Sequence, residues 1–267
     1  MLDMLRTRAR QGYRTMSYPA GSAPVMPERF AGRPLVDGAK CTPDCHACAD
    51  VCPTEAIAAG TGAQRLCLDT GRCIFCRACE AACPHQAIRF SRDHRLAAAR
   101  REDLVVGAGP GPSAELRADR IPTAFNARVK KLFGRSLKLR EVSAGGCNAC
   151  EADTNVLNTL AWDLGRFGIQ FVASPRHADG LLITGPVTRN MELALRKTYE
   201  ATPSPKIVIA VGACAVSAGL YRTHAEVHKG AAEIIPVDLF VPGCPPHPAT
   251  ILDGILRWMG KIKEQGR

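Results

Sequence analysis

Three things are missing from this chain of 267 residues, and each absence excludes something. No apolar run is long enough to cross a bilayer. The longest uncharged stretch, Ile207–Tyr221, contains two glycines and falls short of the ~20 residues that a span needs. No secretory leader opens the chain, because Met1–Ala20 carries Arg6, Arg8, Arg10 and Arg14 and never an apolar run. The expectation is a polypeptide in a reducing, cytoplasmic setting that meets membranes only through its surface or its partners. The dinucleotide loop is missing too. In Leu104-Val-Val-Gly107-Ala-Gly109-Pro-Gly111-Pro112 a proline stands where that motif needs its third glycine, and Pro110 breaks the turn-to-helix transition. The segment reads as a flexible connector.

Acidic residues are also absent between Arg128 and Arg140, where six basic side chains (Arg128, Lys130, Lys131, Arg135, Lys138, Arg140) gather much of the formal charge of +10. Such a run can bind phosphates, acidic partner subunits or lipid headgroups.

What the chain has in excess is cysteine, thirteen in all. In a cytoplasmic setting clustered cysteines read as metal ligands rather than as disulfides. The central stretch is Ala144-Gly-Gly-Cys147-Asn-Ala-Cys150-Glu151-Ala-Asp-Thr-Asn155, two thiols behind a Gly-Gly turn. Two more follow β-type apolar runs, in Val208-Ile209-Ala-Val211-Gly-Ala-Cys214 and Leu239-Phe240-Val241-Pro-Gly243-Cys244-Pro-Pro246. Four thiolates delivered by three loops can close around one 4Fe–4S cube. Gly or Pro beside three of the four suits close backbone approach. Glu151 is a candidate proton relay next to a ligand, or equally an acid at a helix N-terminus favoured by the dipole.

Residues 39–90 repeat internally. The first copy is Cys41-Thr-Pro-Asp-Cys45-His-Ala-Cys48-Ala-Asp-Val-Cys52-Pro53, and the second is Cys73-Ile-Phe-Cys76-Arg-Ala-Cys79-Glu-Ala-Ala-Cys83-Pro84. The second has the C-x2-C-x2-C-x3-C-P spacing of a two-cluster ferredoxin, in which the fourth cysteine serves the other cube. On that rule cluster A takes Cys41, Cys45, Cys48 and Cys83, and cluster B takes Cys73, Cys76, Cys79 and Cys52. Structural zinc sites use separated ligand pairs instead. The first copy has one residue more between its first two cysteines, Pro43 among them, and the bulge is expected to alter hydrogen bonding to the sulfurs. Cys67, in Gln-Arg-Leu-Cys-Leu-Asp, is left over and reads as a half-buried strand residue. With three cubes the expected cofactors are three 4Fe–4S clusters. Each four-thiolate cube adds roughly two negative charges, so the loaded protein is less basic than its sequence, and nucleic acid is not the expected partner.

Around these motifs the pattern is simple. Leu2, Leu5, Ala9, Tyr13 and Met16 recur at helical spacing among arginines, which suits a membrane surface, an acidic groove or merely a solvated end. From Ser136 the pattern becomes α/β. A strand through Leu137 and Leu139 feeds Cys147, and a helix is expected to carry Val156, Leu157, Leu160, Leu164 and Phe167 to Gly168. Strands follow at Gly180–Thr184, Ile207–Val211 and Val237–Val241, with helices at about 191–200 and 248–261 between and after them. Alternation of this kind implies an open parallel sheet with ligands beyond its carboxyl ends.

These motifs carry a family resemblance. Gly146-Cys147-Asn-Ala-Cys150-Glu151, Ser174-Pro-Arg-His-Ala-Asp179, Gly185-Pro-Val-Thr-Arg189, Gly212-Ala-Cys214 and Val241-Pro-Gly-Cys-Pro-Pro246 resemble the small subunit of membrane-associated nickel–iron hydrogenases of the formate hydrogenlyase type. That subunit is homologous to the 20 kDa subunit of respiratory complex I. Tyr18-Pro19, Arg29-Phe-Ala-Gly-Arg-Pro34 and Gly71-Arg-Cys-Ile-Phe-Cys76 resemble the two-cluster ferredoxin subunit of the same complexes, the 23 kDa subunit of complex I. The chain thus looks like a fusion of two neighbours: a basic arm (1–38), an α+β two-cluster ferredoxin domain (39–92), a basic linker (93–135) and an α/β flavodoxin-like domain (136–267). The resemblance implies an electron-transfer subunit whose active site lies on a nickel–iron large subunit. It further implies membrane-arm subunits, a formate dehydrogenase or ferredoxin-type donor, and a peripheral place on the inner face of the cytoplasmic membrane. Hydrogenases have Cys-x-x-Cys where complex I subunits have adjacent cysteines, so Cys147 and Cys150 favour the former. Ala149 in place of the usual Gly, and Ala215-Val-Ser-Ala-Gly219 after Cys214, leave open a related complex without nickel or a complex I-like quinone oxidoreductase. A free-standing ferredoxin carrier would not need the α/β half.

Overall fold

A computed structural model describes residues 2–42, 44–59, 66–107, 133 and 136–262. Most of the basic run, the proline-broken connector from residue 108 onward and Pro43 lie outside the described residues.

The carboxyl-terminal half is built on five parallel strands: β6 (Leu137–Ser143), β7 (Ile169–Phe171), β8 (Gly180–Thr184), β9 (Ile207–Val211) and β10 (Leu239–Val241). Across the sheet they run β7-β6-β8-β9-β10. In order of appearance that is 2-1-3-4-5, one of the two common doubly wound orders. Every residue of β8, β9 and β10 is buried, because both faces of a parallel sheet are covered and its strands therefore read as unbroken apolar runs. One face buries Leu137, Leu139, Leu182, Ile209 and Val241 under α7 (Pro248–Trp258). The other buries Val142, Leu181, Ile183, Val208 and Ala210 together with the core of the amino-terminal half. Each large aliphatic side chain so buried contributes roughly 1.5–3 kcal/mol. Pro248 opens α7 where its missing N–H costs nothing, and His247 Nδ1 accepts from the Ala249 amide at 3.1 Å as the cap.

The amino-terminal half shows the repeat as a pseudo-symmetric pair. Short helices α2 (Ala47–Asp50) and α3 (Ala78–Ala82) hold the third cysteine of each run. Strands β1 (Pro34–Val36) and β4 (Ile88–Phe90) pair antiparallel, while β2 (Ile57–Ala59), β3 (Leu66–Asp69) and β5 (Val105–Val106) form a three-stranded sheet. Glu55 and Gln86, three residues past the last cysteine of each copy, both adopt left-handed backbone (φ 50° and 51°).

The halves are joined by contacts far apart in the chain. Ala98 bridges Phe240, the Ser217 hydroxyl donates to the Gly71 carbonyl at 2.8 Å, and Arg222 stands 3.9 Å from Glu55. The segment after helix α1 (Leu2–Gln11) is a strap across the α7 face. The Met16 amide donates to Ala161 O (2.9 Å), Arg166 donates to the carbonyls of Met16 (2.5 Å) and Tyr18 (2.8 Å), and the Tyr18 hydroxyl donates to the buried Asp253.

Three expectations are corrected. The connector expected from Leu104 begins later, because Leu104 is buried and Val105–Val106 pair with β3 as β5. The helix expected over 156–167 lies earlier, at α4 (Ala149–Val156), and only a single 3-10 turn follows at Leu164–Phe167. Thr159 donates its hydroxyl to the Val156 carbonyl and Asp163 takes a left-handed conformation (φ 46°), so local side-chain bonding ends the helix and leaves Leu160 exposed. The turn leads directly into β7, a strand of only three residues that no sequence pattern announces. The amphipathic spacing at the start of the chain also runs further than its helix. α1 stops at Gln11 because Gly12 turns left-handed (φ 61°), short of Tyr13 and Met16.

Candidate metal centres

The sheet order reverses between β6 and β8, and the crevice beyond their carboxyl ends is where doubly wound sheets place ligands. Cys147 and Cys150 emerge there, after β6. Gly146 and Gly185, which follow β6 and β8, are in backbone contact: a Cβ on Gly185 would stand 2.5 Å from the Gly146 nitrogen. Asn148, between the two thiols, is left-handed (φ 69°) and starts α4. Cys214 follows β9 at the second position of α6 (Ala213–Ser217), and Cys244 follows β10. The helix α5 (Arg189–Ala201) lies between β8 and β9. Gly212 precedes α6 with φ 93°, and a Cβ there would lie 2.5 Å from Cys150 Sγ. The absence of a side chain at Gly212 is what lets the β9 loop reach the Cys150 thiol. Cys147 and Cys244 are exposed, while Cys150 and Cys214 are half-buried. The group therefore opens outward.

Glu151 is buried and its Oε1 accepts from Ser143 Oγ (2.5 Å) and Thr184 Oγ1 (2.8 Å), the last residues of β6 and β8. Below it lies a carboxylate that the motifs did not flag. Glu141 occupies the inward face of β6, in line with Leu137 and Leu139, and its Oε1 is buried with no hydrogen-bond partner among the described residues. Burial first, and Glu151 second, push Glu141 up to about 7. A charged residue at an inward position of a period-two strand was the signal available in the sequence.

In the amino-terminal half seven cysteines fall into two adjoining groups, Cys41, Cys48 and Cys83 in one and Cys52, Cys73, Cys76 and Cys79 in the other, with Cys45 half-buried on the loop between Cys41 and Cys48. Burial, then the neighbouring Cys83 and Cys41, raise the Cys48 thiol. Burial, then Cys52 and Cys76, push Cys79 up to about 12, with a smaller contribution from Cys48 across the boundary. Cys73, also pushed up to about 12 by burial, faces Cys79, Cys52 and Cys76. The fourth cysteine of each copy thus sits with the other copy's run. A cavity lined by Cys52, Cys73, Cys76 and Cys79, with Ile57, Leu68, Ile74 and Phe90 as apolar walls, marks the second group. Backbone amides point at the sulfurs of both groups. Ala56 donates to Cys52 Sγ and Ala87 to Cys83 Sγ, each at 3.2 Å. Phe75 donates to Cys73 Sγ at 3.2 Å, and the corresponding place after Cys41 is held by Pro43, which has no N–H to give.

In the third group, burial and then Cys244 push Cys214 up to about 12. Burial, then Cys214, Glu151, Cys244 and Cys147, raise Cys150 further. Cys67 is raised by burial alone and has no thiol neighbour acting on it. Among the described residues no three ligating side chains close on a single ion-sized point; the thiols stand in looser groups. Burial, and the repulsion that neighbouring thiolates would exert on one another, oppose ionisation of these thiols, and a cationic metal centre reverses that because a coordinated thiol is deprotonated outright. The donor sets, soft and all-sulfur, fit iron–sulfur ligation.

Comparison with known proteins agrees. Residues 147–258 match the family described as NADH ubiquinone oxidoreductase, 20 Kd subunit, and residues 40–87 match the 4Fe-4S dicluster domain. Over 136 residues the chain is 43% identical to "Probable membrane-bound hydrogenase subunit mbhJ" of Pyrococcus furiosus, covering 51% of this chain and 81% of that protein. It is 38% identical over 155 residues to formate hydrogenlyase subunit 7 of Escherichia coli, covering 58% of this chain and 61% of the relative. To an NADH-quinone oxidoreductase subunit of Geotalea daltonii it is 44% identical over 120 residues, covering 45% of this chain and 70% of the relative.

Proposed function

Since the chain belongs to the family of the NADH ubiquinone oxidoreductase 20 kDa subunit, with a 4Fe-4S dicluster domain ahead of it, we propose that this oxidoreductase subunit is the electron-transfer subunit of a membrane-associated nickel–iron hydrogenase complex of the formate hydrogenlyase type. The observation that carries the reading is the third thiol group, gathered at the switch point of the sheet and open to solvent at Cys147 and Cys244. A redox centre at the open mouth of a sheet hands its electrons to whatever docks there, and that partner is the large subunit.

In this reading the chain has an amino-terminal arm, a ferredoxin domain that takes in β1 (Pro34–Val36) and β5 (Val105–Val106) from either side of 39–92, a basic linker ahead of residue 136, and a flavodoxin-like part over 136–267. Cys41, Cys45, Cys48 and Cys83 hold one cluster, Cys52, Cys73, Cys76 and Cys79 a second, and Cys147, Cys150, Cys214 and Cys244 a third. When bound, the three 4Fe–4S clusters supply one-electron transfer. The chain's own residues position them. Gly212 clears space for the Cys150 thiol, and the amides of Ala56, Phe75 and Ala87 donate to the ligand sulfurs. Gly71, two residues before Cys73, is hydrogen-bonded to Ser217, three residues after Cys214. The group with Cys73 therefore stands between the Cys41 group and the large subunit. Hydrogen bonds from Ser143 and Thr184 fix Glu151, our candidate for passing protons toward the large subunit. Membrane-arm subunits hold the complex on the inner face of the cytoplasmic membrane, and a formate dehydrogenase or ferredoxin-type protein supplies electrons. No helix among the described residues is long and apolar enough to cross a membrane.

A second reading has support in the quinone-oxidoreductase relative: the same subunit in a complex that reduces quinone. Purifying the complex anaerobically separates the two. Nickel in the large subunit, with hydrogen evolved from a strong reductant, is the expected result. Quinone reduction without nickel or hydrogen would replace the hydrogenase reading and leave the electron-transfer role standing.

A further inference from the structure

We propose that helix α1 is a surface anchor of this chain's own, lying in an anionic lipid headgroup layer with its Leu2–Leu5–Ala9 stripe turned to the acyl boundary. None of its residues is buried: Leu2 is 70%, Met4 75% and Leu5 63% exposed, and Tyr13 just beyond is 89% exposed. At 100° per residue Leu2, Leu5 and Ala9 fall on one narrow stripe. Arg6 and Arg10 flank it on one side and Arg8 on the other. That arrangement belongs to a helix lying in an interface, where arginine stems follow the apolar surface and their heads reach phosphate. A groove on a protein would have to bury the same arginines. The charge is complementary to anionic lipid, with Arg6, Arg8, Arg10 and Arg14 set against the single acid Asp3. The Asp3–Arg6 contact is 3.6 Å long between exposed side chains and holds little of that charge back.

The helix is short, about 15 Å at 1.5 Å per residue, but its base is fixed. Arg8 folds back, donating to the Gly12 carbonyl at 2.9 Å with its guanidinium 4.7 Å from the Tyr13 ring centre. Met16 is then tied to Ala161, beside Leu160, which is itself 71% exposed. Tyr13 suits the headgroup level, where an aromatic ring with a polar tip is favoured. Apolar stripe and arginines are each weak alone, so binding requires both.

Co-sedimentation of the full, cluster-loaded chain with vesicles tests this. Vesicles containing phosphatidylglycerol should pellet the chain at low salt and release it at high salt, and phosphatidylcholine vesicles should not pellet it. Leu2→Ser with Leu5→Ser should cut the binding about tenfold or more, by removal of the buried apolar area. Arg6→Gln with Arg10→Gln should cut it by a similar factor, from about fivefold per charge. Iron content and thermal midpoint should stay at wild-type values in both variants, since no α1 residue is buried. Failure of the wild-type chain to pellet with anionic vesicles overturns the proposal. So does equal binding to the neutral vesicles, or an arm variant that pellets like wild type. Loss of assembly with partner subunits while vesicle binding persists unchanged would instead assign α1 to a protein groove.

Discussion

At the scale of single residues, function depends on a few atoms of clearance. Gly212 combines a left-handed φ of 93° with a Cβ position 2.5 Å from the Cys150 sulfur, and the sulfur cannot move aside without leaving its group. Gly212→Ala should therefore remove the third cluster's electron paramagnetic resonance signal while the two ferredoxin-type signals remain. Retention of all three signals would show that the β9 loop can retreat. Glu141 offers a pH test. Its folded pKa of about 7 lies above the ~4.3 of an unfolded glutamate, so the folded chain binds that proton more tightly. The stability this contributes is complete below the unfolded value and is lost as pH rises through the folded one. Glu141→Gln should raise the thermal midpoint at about pH 8 by the equivalent of roughly 1–3 kcal/mol, and by much less at about pH 5. An equal gain at both pH values would mean that packing, not the charge, is responsible. The two cysteine runs were legible from their spacing, whereas the approach of Cys214 and Cys244 to Cys147 and Cys150 depends on the order of the strands they follow. Glu141 was signalled only by its inward place on β6, and that its oxygen lacks a partner among the described residues depends on neighbours that a strand's own sequence does not name.

At the scale of elements, legibility follows length and burial. Strands β8 and β9 were readable residue for residue, because unbroken apolar runs between turn signals have one reading when they alternate with helices. The stretch 156–167 misled, since its leucines fit a helical face although Leu157 and Leu164 are buried on separate turns. β7 is too short to carry a period. The strap from Met16 to Phe30 had no periodic signal; its hold comes from tertiary partners, above all Arg166 on two carbonyls and Phe30 edge-on to His247 at 5.6 Å. Arg166→Ala should cost about 1.5–3 kcal/mol, as the loss of charged hydrogen bonds does. Limited proteolysis should then cut within residues 12–30 while iron content stays unchanged. Resistance equal to wild type would place the strap's hold elsewhere, at Tyr18 and Asp253.

At the scale of the whole molecule, the sequence disclosed two halves but not their mutual arrangement, which rests on contacts far apart in the chain such as Ser217 with Gly71. On the ligand sets proposed above twelve cysteines hold three cubes, so anaerobically purified chain should contain about 12 iron atoms and negligible zinc, on four thiolates per cube. Cys67→Ser should keep all of them, and Cys244→Ser should lose about a third. Iron near four per chain, or loss of a cluster in Cys67→Ser, would require the groups to be redrawn.

On the ligand sets proposed above, the exchange of Cys52 and Cys83 between the two copies would set a timetable for biosynthesis. A nascent chain emerging amino end first offers three thiols of the first group from Cys41 to Cys48, then stalls as a ligand set until Cys83 appears. The second group is complete slightly sooner, at Cys79, and the third must wait for Cys244. Iron and sulfide delivered to a half-made chain would meet a three-thiol first site until Cys83 appears. Truncation ahead of Cys244 would leave the third group short of a thiol, and would also strip the ferredoxin half of the sheet residues Leu181, Ile183, Val208 and Phe240 that complete its core.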